Sequence, residues 1–111
     1  MTREERKIIH DYLMSYRFYR SAFETDISNA PPELRAQSFA IRRSVSDMPP
    51  SKEKLFLHYY YIQGYTLEVC AEYLGISRRS VFRLKISALE LYAERAGKDF
   101  ALKYLSSVID I

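Results

Sequence analysis

The sequence predicts an all-α fold, and three observations carry that prediction. Only three glycines and four prolines punctuate 111 residues, and the prolines fall in two pairs, Pro31-Pro32 and Pro49-Pro50. Between these breaks apolar residues recur at three- and four-residue spacing, with no strand-like alternation of useful length. No internal repeat or series of glycine-rich turns interrupts the pattern. A chain this short forms one domain with a modest core. Its hydrophobic content of 48% is that of a globular rather than a disordered chain.

The first helix is expected from about Thr2 to Glu24. Thr2 is its cap, and Glu4 and Glu5 suit the positive end of the helix dipole. Ile9, Tyr12, Tyr16, Tyr19 and Phe23 follow a heptad spacing, widened by Ile8 and Leu13. Two readings of this stripe stand side by side. It covers the domain's own core, or it forms the seam of a homodimer. Residues 25–33, "TDISNAPPE", then read as a polar, proline-closed loop. A short helix follows from about Pro32 to Val45. It carries Arg35, Arg42 and Arg43 with no acid between Leu34 and Ser46, either as a solvated face or as an auxiliary phosphate-contacting patch.

The organisation divides into an N-terminal helical region, 1–48, and a region from 49 to 111, expected to form one compact unit. Pro49-Pro50 ends one helix and Ser51 caps the next, with Glu53 in its first turn. Helical spacing puts Leu55, Phe56, Tyr59 and Ile62 on its buried face. Gly64 supplies a chain-reversing stop. Thr66 caps a further short helix whose Leu67, Cys70, Ala71 and Leu74 face inward, which makes Cys70 a small core residue.

Gly75 breaks that helix and Ser77 caps the last one, in which Val81, Leu84, Ala88, Leu91 and Tyr92 share a face at about 100° per residue. Arg79 and Arg83 point the opposite way, beside Phe82 and Ile86. Arg78 and Lys85 flank the buried stripe. Four positive charges thus fall between Arg78 and Lys85, with no acid from Tyr73 to Leu89. A short helix, a glycine turn and a long helix with a basic outer face make a helix-turn-helix. A recognition helix must bury one face and offer the other to the major groove, so apolar and basic residues interleave. The expected DNA-binding residues are Thr66, Ser77, Arg78, Arg79, Ser80, Phe82, Arg83 and Lys85. Arginines bind guanine edges or phosphate, the serines at the helix start bind phosphate, and Phe82 meets a thymine methyl.

From about 51 to 95 the chain resembles the fourth region of bacterial sigma factors. It is more similar still to ArpU-like transcriptional regulators of phages and mobile elements. The resemblance rests on Gly64-Tyr65-Thr66, Ala71, Leu74-Gly75-Ile76-Ser77, Ser80-Val81 and Ala88-Leu89. It implies a sequence-specific, double-stranded DNA-binding regulator that reads the major groove with the helix from 77 to 95. It departs where Cys70 replaces a bulky aliphatic residue and Phe82 a basic one. A segment like the sigma factor's DNA-melting second region is not expected, so the chain is not a complete sigma factor. Two alternatives are a packaging or recombination accessory factor, and an interaction protein that contacts RNA polymerase.

The net charge of +3 agrees only mildly with a polyanionic partner; it is the clustering that points there. His10 and His58 pair with no cysteine or carboxylate at metal-ligand spacing, and there is no phosphate-binding glycine loop. The expectation is therefore no enzyme, no metal and no cofactor. The lone cysteine, Cys70, leaves no intramolecular disulfide and suits a reducing compartment. Neither a secretory signal nor a membrane span is read. The expected location is the bacterial cytoplasm, in association with the nucleoid.

Overall fold

The computed structural model describes residues 2–23 and 30–96, apart from the side chains of Phe23 and Ala96. Outside the described residues lie the expected end of the first helix at Glu24, residues 25–29 of the proline-closed loop, and the tail 97–111 of the second region. Among the described residues the fold is all-α, as expected. The helices are α1 (Arg3–Phe23), α2 (Pro32–Ser46), α3 (Lys52–Leu57), α4 (Leu67–Leu74) and α5 (Arg78–Ala96).

Local chemistry sets the helix starts. Thr2 Oγ1 accepts from the Glu5 N–H at 3.1 Å, and Ser51 Oγ accepts from the Lys54 N–H at 3.1 Å. Thr66 Oγ1 accepts from the Val69 N–H at 3.3 Å, and Ser77 Oγ from the Ser80 N–H at 3.1 Å. Each hydroxyl satisfies one of the orphan donors that a helix start leaves open. Helix α2 lacks such a bond and starts at Pro32, whose missing N–H costs nothing there.

One core joins the helices. Leu13 of α1, Ile41 and Val45 of α2, Phe56 and Leu57 of α3, Cys70 of α4, and Val81 and Ala88 of α5 are all buried in it. Helix α5 is central and packs against α1, α2, α3 and α4. Ile9, Tyr12 and Tyr16 lie in this same core, at 3%, 4% and 9% exposure. At these three positions of the stripe the domain's own core supplies the cover. Tyr19 is half-buried, and the side chain of Phe23 is outside the described residues.

The buried face of the third helix also departs from expectation. Helix α3 runs directly into a π-helical turn, His58–Ile62. The Gln63 N–H bonds to the His58 carbonyl at 2.8 Å, five residues back instead of four. The wider turn changes which residues face inward. Phe56 and Tyr61, five apart, are both fully buried, as is Leu57, with Ile62 at 6%. Leu55, expected inside, is 45% exposed, and Tyr59 is half-buried. Arg20 donates to the Ile62 carbonyl at 2.7 Å and Arg17 to the Gly64 carbonyl at 3.3 Å, so α1 holds the end of this turn in place.

Two buried phenols are satisfied across helices. Tyr92 Oη lies 2.7 Å from Ser44 Oγ, and Tyr61 Oη 2.7 Å from His10 Nδ1. Burial pushes both phenols well above their ordinary range. It also pulls the His10 imidazole below its usual value, helped by Lys85 and Arg17 and opposed by Asp11. The unfolded chain then binds the His10 proton more readily than the folded one. The contribution is full above the ordinary histidine range and is lost as pH falls towards the lowered native value. The urea midpoint is expected to decline as pH drops from about 7 through about 6, around the ordinary histidine pKa. The decline should be shallower in His10→Gln; an equal slope in both proteins would rule this assignment out.

Candidate nucleic-acid interface

The candidate interface begins at the turn between α4 and α5. Gly75 adopts φ +66°, in the left-handed region that favours glycine. The Ile76 N–H reaches back to the Ala71 carbonyl at 3.0 Å, closing a Schellman-type C-cap. This turn reverses the chain so that α5 starts at the surface with Ser77 and Arg78 exposed.

Along α5 the inner and outer faces separate cleanly. Val81 and Ala88 are fully buried, and Tyr92, Leu89 and Ala93 nearly so. On the other side Arg79 and Arg83 are exposed, beside Phe82 at 47% and Ile86 at 44% exposure. Neither arginine has an ion pair among the described residues, so both guanidiniums keep their full donor set. Two large apolar side chains thus share a solvent-facing strip with the two arginines.

The polar groups at the start of α5 are partly committed. Ser77 Oγ, besides capping the helix, donates to Ser80 Oγ at 3.0 Å. That leaves the Ser80 proton without an acceptor among the described residues, close to a helix start that favours anions. Arg78 approaches Glu68 of α4 at 3.6 Å, but both side chains are more than half exposed, which makes the pair weak and exchangeable. Thr66, as the α4 cap, is also exposed.

Lys85 does not join the outer strip. It is half-buried, and its ammonium sits 5.3 Å from the centroid of Tyr60, a ring that also carries the Arg17 guanidinium at 4.9 Å. Desolvation lowers its pKa. Its aliphatic stem follows the buried stripe and its charge lies over an aromatic face, at the flank of the strip. Arg35, Arg42 and Arg43 are exposed on α2. That helix meets the distal part of α5 through the Ser44–Tyr92 hydrogen bond. Tyr92 is about 14 Å along the axis beyond Arg83, at 1.5 Å per residue. Arg42 and Arg43, next to Ser44, therefore lie towards the end of α5 away from Arg79 and Arg83.

No family model matches the chain, and no curated protein or solved structure matches it either. Among the described residues no three His, Cys, Asp or Glu side chains converge to hold a metal ion. No described helix is long and apolar enough to cross a membrane.

Cys70 is fully buried beneath this site, and burial pushes its thiol up. Cys70→Ala or Cys70→Val is expected to fold and to lose at most about 1–2 kcal/mol in urea denaturation. Rapid reaction of the native protein with a thiol reagent would contradict that burial. One exposed group was missed by the sequence reasoning. Tyr73, 62% exposed, packs its ring 5.3 Å from Tyr65 and 5.5 Å from Tyr59. The inward set Leu67, Cys70, Ala71 and Leu74 already implied that position 73 faces out.

Proposed function

We propose that this chain is a sequence-specific double-stranded DNA-binding transcriptional regulator, encoded by a phage or mobile element. In this reading α4, the Gly75 turn and α5 act as a helix-turn-helix. The N-terminal half of α5 lies in the major groove. Arg79 and Arg83 read base edges, Phe82 and Ile86 meet thymine methyls, and Arg78, Ser80 and Thr66 contact phosphate.

The observation that carries the reading is the exposed strip of Arg79, Phe82, Arg83 and Ile86. Neither arginine is neutralised by an ion pair among the described residues. The sequence around the strip has no acid from Tyr73 to Leu89. Such a strip offers bidentate donors and methyl-sized apolar contacts together, which a phosphate-only surface does not need.

The test is selection of bound sequences from a random duplex library with the full-length protein. A recurrent motif that lies beside promoters in the source genome is the expected result. Recovery of no enriched sequence, with equal affinity for all duplexes, would overturn sequence-specific reading.

A further inference from the structure

The surface at the far end of α5 has a different character. An open cleft of about 640 Å³ lies there between α2 and α5, lined by Phe39, Ala40, Arg43 and Arg95 together with Met48 and Pro49. Phe39 is 79% exposed, the most exposed large apolar side chain among the described residues. On the other flank of α2 a second cleft, of about 370 Å³, holds Arg42, Lys54 and His58 around Val45, Leu55 and Ile62. Leu55 is itself 45% exposed.

The charges around the two clefts are lopsided. Arg42, Arg43, Lys54 and Arg95 line them, against Asp47 as the only carboxylate among the described residues of either lining. The Arg43–Asp47 pair is long, at 3.8 Å, and both partners are largely exposed, so it holds neither charge firmly. Two concave apolar surfaces under a cationic rim match an acidic segment that carries apolar anchors. They do not match a duplex, whose phosphates need cations but no exposed Phe39 and no apolar lining.

We infer that the α2 ridge and its two clefts bind a protein partner through an acidic segment with a large apolar side chain seated against Phe39. Arg95 is about 18 Å along α5 from Arg83, at 1.5 Å per residue, so such a partner leaves the outer strip of α5 uncovered. The inference does not depend on what that strip binds.

A random-peptide display library panned on the full-length protein tests it. Enriched peptides should carry Asp or Glu around a Leu, Ile, Phe or Trp. Phe39→Ala and Arg95→Glu should each weaken them about tenfold, the loss expected for an interface anchor. Both substituted side chains are exposed, so the fold is not at stake. Enriched peptides that lack acids, that bind both variants like the parent, or that fail to emerge would overturn the inference. So would a matching loss of duplex binding in Phe39→Ala and Arg95→Glu, which would make the ridge a DNA contact instead.

Discussion

Arg79→Ala and Arg83→Ala are each expected to weaken binding to the selected duplex by about 1–3 kcal/mol, and the double variant to approach non-specific affinity. Both guanidiniums stand on the exposed side of α5, opposite the fully buried Val81 and Ala88. Neither spends its donors on a carboxylate among the described residues. If they read base edges, their loss removes discrimination between duplexes as well as affinity. Arg78→Ala should behave differently. Its charge sits beside Glu68 at the edge of the strip, so binding should fall by a similar factor on every duplex, with a shallower salt dependence. Lys85→Ala, with its ammonium turned to Tyr60, should leave discrimination intact. Fluorescence anisotropy across a salt series separates these outcomes. A double variant that binds like the parent would show that the wrong face has been assigned.

The second large effect concerns stability. Tyr61→Ala is expected to cost about 3–5 kcal/mol, as for other large aromatic truncations in a core. That is much of the total for a domain held by about 5–15 kcal/mol. Tyr61 is fully buried, packs edge-on against Phe56 at 6.4 Å, and bonds to His10. Leu55→Ala should cost under about 1 kcal/mol, because that side chain is already half in water. The contrast follows from the π-helical turn, which brings Tyr61 inside and leaves Leu55 out. A larger loss at Leu55 than at Tyr61 in urea denaturation would mean that the segment follows ordinary α-helical spacing.

That turn also marks the limit of what periodicity can reveal. The hydroxyl caps at Thr2, Ser51, Thr66 and Ser77 were legible because a small oxygen acceptor ahead of an apolar helical run has one dominant use. The positive-φ stops at Gly64 and Gly75 were legible for a similar reason. The inner face of α5 followed from its spacing. The π-helical turn did not, since a wheel of fixed pitch cannot see one widened hydrogen bond. The aromatic stripe of α1 was ambiguous because an apolar face does not say whose chain covers it. Lys85 was placed by its charge, whereas its aliphatic stem decided where it went. The candidate site divides in the same way: Arg79 and Arg83 emerged from spacing alone, while the clefts beside α2 required three helices to be assembled first.

The most direct measurement is the map of backbone amide shifts in the isotope-labelled full-length protein as the selected duplex is added. The proposed mode of binding predicts that the largest changes fall at Thr66 and from Ser77 through Ile86, with the ridge from Arg35 to Arg43 little affected. Changes concentrated on that ridge, with Arg79 and Arg83 unmoved, would contradict it.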